Sequence, residues 1–158
     1  MGNPTANTVW PATPVHPLVK ALINRAYVLA DLNQGETLAT EVYAPDAVMS
    51  LMGQVRRGTE EIRTYKENDG GVITARRHEI VKAFANDAAG LDLMLLGKAE
   101  MDFCTGKTFF GEFVSRMVVD EESFKAQNPK LCLSQGWANP MPIIAAVEEA
   151  RAEAGLSS

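Results

Sequence analysis

With 158 residues, 46% of them hydrophobic and 22% charged, the chain suffices for one domain with its own core and is too apolar for wholesale disorder. A net charge of −5 argues against binding a nucleic-acid backbone, since the Arg doublets Arg56-Arg57 and Arg76-Arg77 are too small for a basic stripe. No apolar run reaches the ~18 residues of a membrane span. The opening residues lack a secretory leader's basic start and apolar stretch, so a cytoplasmic protein is expected, with Cys104 and Cys132 as reduced thiols.

In chain order, residues 1–17 carry four prolines and are expected to form an extended arm, its Trp10 packing onto the body or a partner. Residues 18–158 form the single folded domain. Leu18 to Leu32 has helical period, with Leu18, Val19, Leu22, Ala26, Leu29 and Leu32 on one face. A short helix from Glu36 to Tyr43 ends before Pro45. Ala47–Met52 and Val55–Arg57 predict a hairpin about Gly53-Gln54. Thr59, followed by Glu60 and Glu61, predicts the start of a third helix, which stops at Asn68-Asp69-Gly70-Gly71.

The period then changes to strands, at 73–84, 91–103, 108–119 and 131–138, separated by Asn86-Asp87, Thr105-Gly106 and Asn128-Pro129. A last helix follows Pro140 and Pro142. Helices first and long antiparallel strands after define an α+β protein, with a curved antiparallel sheet packed against N-terminal helices around a pocket.

Several motifs fail. Gly106-Lys107-Thr108 lacks the glycine of a phosphate loop, because Met101 stands there, and His78-Glu79 lacks the second histidine of a zinc-protease helix. With two histidines in the chain, no metal site and no cofactor is expected.

The remaining candidates are polar residues on apolar faces. Glu112 alternates with Phe110, Val114 and Val118, and the other face of its strand carries Phe109, Phe113 and Met117. It is therefore expected to be at least partly buried, either as a general acid or base or in a structural ion pair with Arg116 or a cross-strand Arg. His78 shares a face with Ile80 and Phe84, and is either a core residue or a proton carrier. Arg25 projects near Leu18, Leu29 and Leu32, with Glu112 as a candidate partner or with its head snorkelling to water. By spacing alone Asp31 falls on the helix's polar stripe, with Tyr27 at its edge. Tyr65, Trp137 and Asn139 are candidates for a pocket mouth.

The run Ala-Tyr-Val-Leu-Ala-Asp-Leu-Asn-Gln-Gly-Glu from Ala26, then Val-Tyr-Ala-Pro-Asp-Ala-Val from Val42, resembles the opening of SnoaL-like proteins of the nuclear transport factor 2-like superfamily. Arg57-Gly58-Thr59-Glu60-Glu61-Ile62, Phe110-Gly111-Glu112-Phe113 and Gln135-Gly136-Trp137-Ala138-Asn139-Pro140 are similar to later family segments. The resemblance spans roughly residues 18–142. It implies a cone-shaped α+β barrel, commonly a homodimer through the outer sheet face. Its members include polyketide cyclases, ketosteroid isomerases, scytalone dehydratase, limonene epoxide hydrolase and cofactor-free fungal isomerases, beside non-catalytic carriers.

Carried over by position, the resemblance places His78 where dehydratase-like members have a catalytic histidine and Glu112 near a polar inward residue. Tyr27 and Asp31 fall near the first-helix Tyr and Asp of such enzymes, against the helical-wheel reading. Ser50-Leu51 stands where ketosteroid isomerases have their base, and Asn139 where fungal relatives often have Asp.

The expectation is a cofactor-independent isomerase or cyclase of secondary metabolism. Glu112 and His78 would move protons, and Arg25 would steady an oxyanion. Tyr27, Asp31, Tyr65, Arg116, Trp137 and Asn139 would contact an apolar, polycyclic small molecule. A dehydratase, an epoxide hydrolase or a non-catalytic binding or dimerisation module are the alternatives.

Overall fold

A computed structural model of the chain describes residues 2–64 and 71–156. Helix α1 (Pro17–Asp31) begins with the Nδ1 of His16 accepting the Leu18 N–H at 3.2 Å, and proline occupies the first turn, where its missing N–H costs nothing. Its buried residues are Val19, Leu22, Ile23, Ala26, Tyr27, Val28 and Leu29. The inward face is therefore rotated from the one sequence spacing suggests. Leu32, at the helix end, is exposed and does not pull the face toward itself. Ile23, Tyr27 and Asp31, four apart, run along one edge of the buried face.

Helix α2 (Gly35–Glu41) leads into strand β1 (Tyr43–Leu51), which starts earlier than expected because Tyr43 already pairs with Leu131 and both Tyr43 and Ala44 are buried. The turn to β2 (Gln54–Arg57) is Met52-Gly53, both at positive φ (47° and 85°), as a two-residue hairpin turn requires. Helix α3 (Gly58–Arg63) starts earlier than expected, and its expected stop at Asn68-Asp69-Gly70 lies outside the described residues. Arg57 rather than Thr59 is the capping position, and its N–H is bound by Glu61 Oε2 at 2.7 Å.

Three long antiparallel strands follow: β3 (Ile73–Ala85), β4 (Asp92–Phe103) and β5 (Thr108–Val119). Helix α4 (Glu121–Lys125), unforeseen in the sequence, is capped by Asp120, whose carboxylate accepts the Ser123 N–H at 2.8 Å. Strand β6 (Leu131–Trp137) and helix α5 (Met141–Glu153) complete the fold.

The sheet order is β2-β1-β6-β5-β4-β3, open rather than closed and mixed rather than antiparallel, because β6 returns parallel to β1. One face carries α1 and the core, including Ile80, Ala83, Leu93, Leu95 and Met117. The outer face leaves Phe84, Leu96, Phe110 and Trp137 exposed. A register shift between Ile80 and Lys82 turns Phe84 outward and Ala83 inward, which reverses the expected placing of Phe84 beside His78.

The Pro-rich arm does pack on the body. Its Pro4 carbonyl accepts the Ile80 N–H at 2.8 Å, and Val9 bonds Val81 and Ala83, so it covers part of the free edge of β3. Trp10 packs against the core, with the Lys20 ammonium 4.8 Å from its ring centre. Among the described residues no helix is long and apolar enough to cross a membrane.

On the outer face Arg116 grips Asp92 through two hydrogen bonds of 2.9 and 2.6 Å, and Asn86 adds a third at 2.9 Å. The guanidinium beside it holds the Asp92 carboxyl below the usual range. A depressed carboxyl stabilises the fold above its unfolded pKa of about 3.9 and loses that contribution as pH falls through the folded value. Both side chains keep some solvent, so Asp92→Asn is expected to cost about 1 kcal/mol at pH 7. The cost should shrink as pH falls below about 4, the unfolded value, as urea midpoints taken down the acid limb will show.

Candidate functional site

Asp31 ends α1, and His78 faces the helix side of the edge strand β3. The two carboxylate oxygens of Asp31 are both spent on this one residue. Oδ1 lies 2.5 Å from Nδ1 of the imidazole, and Oδ2 accepts the His78 backbone N–H at 3.1 Å. That N–H belongs to the free edge of β3, so the carboxylate also satisfies a strand donor with no ladder partner.

The pair sits at the surface of the core without being sealed, with side-chain exposures of 14% for His78 and 17% for Asp31. A carboxylate at Nδ1 fixes that nitrogen as the donor and leaves Nε2 of the neutral ring as the proton acceptor. The helical-wheel expectation of a solvated Asp31 is therefore corrected: it continues the Ile23–Tyr27 line onto β3.

Two aromatic rings flank the imidazole. Tyr27 lies 5.4 Å away between ring centres, and Phe113 approaches edge-on at 5.4 Å. The Tyr27 hydroxyl points away into the core and shares a 2.7 Å hydrogen bond with Ser115 Oγ. Burial pushes this phenol far above its ordinary range, so it stays neutral. Ser115 was not singled out in the sequence, although its place between Phe113 and Met117 on an inward face was the available signal.

The other candidates lie elsewhere. Glu112 is exposed rather than buried. It pairs in register with Lys98 on the outer face, across the sheet from His78. The apolar residues around it are the exposed outer face and not a core. Arg25 is 44% exposed and forms an ion pair of 2.7 Å with Glu41 of α2, so it neither meets Glu112 nor enters the His78 site.

Arg116 is committed to Asp92 on the outer face. Trp137 and Glu112 together line a groove of about 450 Å3 there, with Val81, Leu96, Lys98 and Val114. Asn139 stands two residues before the last helix begins, its Oδ1 accepting the Met141 N–H at 3.2 Å. Tyr65 lies outside the described residues. A second recess, of about 150 Å3, opens between the β4–β5 hairpin and α5, where Lys107 holds Glu149 and Glu153 at 2.7 Å each. Among the described residues no three His, Cys, Asp or Glu side chains gather as a metal site, and Cys104 and Cys132 are free thiols.

The α+β layering and the mixed six-stranded sheet are those of the nuclear transport factor 2-like fold. A nuclear transport factor 2-like protein of unknown function from Burkholderia pseudomallei has this fold, with TM-score 0.64, 12% identity, and 84% of this chain and 98% of that one covered. TerC, co-crystallised with polyporic acid, matches with TM-score 0.64 at 14% identity, covering 84% of this chain and 99% of that one. A scytalone dehydratase-like protein from Novosphingobium aromaticivorans matches with TM-score 0.57 at 12% identity, covering 77% and 82%. No protein-family model and no curated protein matches the sequence.

Proposed function

We propose that the chain is a cofactor-independent acid–base enzyme, an isomerase or cyclase, acting on a ring-containing small molecule, with His78 carrying the proton. The observation that supports this reading is the double grip of Asp31 on His78, at Nδ1 and at the backbone N–H, at a site that solvent still reaches. Structural similarity to TerC and to a scytalone dehydratase-like protein agrees with it. Nε2 would take a proton from carbon next to a carbonyl, the electron pair passing into an enolate, and return it at another carbon of that enolate. The charge gained by the ring in between is offset by Asp31. Tyr27 and Phe113 give the substrate apolar walls.

Proton–deuteron exchange of cyclohexanone in D2O, followed by NMR, tests the reading with a generic ring ketone. The protein should accelerate exchange above buffer at the same pH. A rate equal to buffer rejects the proposal.

A second copy of the chain is the occupant we propose for the outer face, where Phe84, Leu96 and Trp137 are exposed beside the Glu112 groove. Light scattering should give twice the 17.1 kDa chain mass, and Leu96→Glu should return it to one. A monomeric wild type sinks this part alone.

A further inference from the structure

Gly97 on β4 and Phe113 on β5 stand opposite each other in the ladder and face the helix side. A Cβ added to Gly97 would meet Phe113 ring atoms at 2.1, 2.5 and 2.7 Å, so the ring lies on the bare backbone of the glycine. No other residue leaves room for that seat. From it the ring reaches His78 at 5.4 Å and Tyr27 at 5.7 Å, while Tyr27 and His78 are themselves 5.4 Å apart. A flat ring stacked between two aromatic walls needs about 7 Å between them, twice a van der Waals contact. The three rings therefore fill their own triangle and leave no slot for a fourth. Phe109 lies in the same way over Gly111, 2.9 Å from where its Cβ would be, which extends the wall along the strand.

We infer that Phe113, seated on Gly97, is the specificity-determining wall of the Asp31–His78 site, and that it limits the substrate to a single ring presented at the free Nε2 edge. This rests on the reading of His78 as proton carrier and narrows it, since a fused polycycle needs the space the Phe113 ring occupies. Substituting Gly97 would unseat the ring and drive it toward the imidazole. Truncating Phe113 would open a second ring's depth beside it.

The test titrates cyclohexanone and 2-tetralone, probes of one and two rings, against the protein and follows the imidazole signals of His78. Wild type should bind cyclohexanone at least tenfold more tightly than 2-tetralone, against the ordinary gain from added apolar surface. Phe113→Ala should reverse that order, with Phe113→Leu giving the same direction in a better-filled site should the alanine variant fail to fold. Gly97→Ala should weaken cyclohexanone at least tenfold, and Gly97→Ala/Phe113→Ala should restore it. The same size order in wild type, Phe113→Leu and Phe113→Ala, or wild-type binding by Gly97→Ala, overturns the inference. If cyclohexanone exchange still depends on His78 in that case, the proton-carrier reading stands. If no variant shows His78-dependent exchange, both fall.

Discussion

His78→Gln should lower the deuterium exchange of a ring ketone by about 10²–10⁴-fold, the range a positioned proton carrier contributes. Glutamine matches the polarity and much of the reach of histidine but cannot cycle a proton at neutral pH, so a loss of this size with an unchanged melting point isolates the chemistry. Asp31→Asn should cost about as much by a different route. The carboxylate accepts from Nδ1 at 2.5 Å. An asparagine that presented its NH2 group there would make Nδ1 the acceptor and move the ring proton to Nε2, where the substrate is met. An asparagine that kept its carbonyl on Nδ1 would hold the tautomer but no longer offset the charge on the protonated ring. Asp31→Asn also weakens the bond to the His78 N–H at the sheet edge, so a modest loss of stability should accompany the loss of rate. Equal exchange rates in wild type and His78→Gln would remove the catalytic assignment altogether.

Ser115→Ala should destabilise the protein by about 1–3 kcal/mol, the cost of leaving a buried polar group unsatisfied. The group left behind is the Tyr27 hydroxyl, whose 2.7 Å bond to Ser115 lies in the core. Tyr27→Phe orphans the serine instead and should cost a similar amount. The double variant removes both groups and should cost clearly less than the sum, which a double-mutant cycle in urea reads directly.

The same burial has a pH signature. Tyr27 is pushed far up, and Tyr43, buried beside Ser134, is pushed up to about 12. A phenol raised in the folded state contributes stability that is complete below the unfolded value near 10 and is lost as pH rises from there through the folded one. Urea midpoints should therefore fall between about pH 10 and 12. In Tyr27→Phe the fall should be shallower.

Much of the sheet was legible because its strands announce themselves. Between Thr108 and Val119 the alternation is uninterrupted, and the strand has those bounds; β3 and β4 differ by a residue at one end. The parallel return of β6 onto β1 was not legible, since no local pattern states which distant strand a segment will join. Helix α4 is five residues long, too short for a period, though Asp120-Glu121-Glu122 carried the charge pattern of a helix start.

The site divides along the same line. Glu112 was misread because alternation reveals which residues share a face but not which face is inside. Phe110, Val114 and Val118 give the outer face of β5 the composition of a core. The apolar face of α1 was misplaced toward Arg25 by Leu18 and Leu32 at the helix ends, where burial is weakest. Asp31 was therefore assigned to solvent by spacing. Only its place in the family resemblance pointed inward, and its grip on His78 depends on where the edge strand lies against the helix.

The measurement closest to the central claim is the imidazole nitrogen NMR spectrum of His78, taken where the ring is neutral, in wild type and Asp31→Asn. The account predicts the proton on Nδ1 in wild type, a bare Nε2 whose signal moves when cyclohexanone is added, and loss or reversal of that preference in Asp31→Asn. A wild-type ring that carries its proton on Nε2, or an Nε2 signal indifferent to every ring ketone, would contradict it.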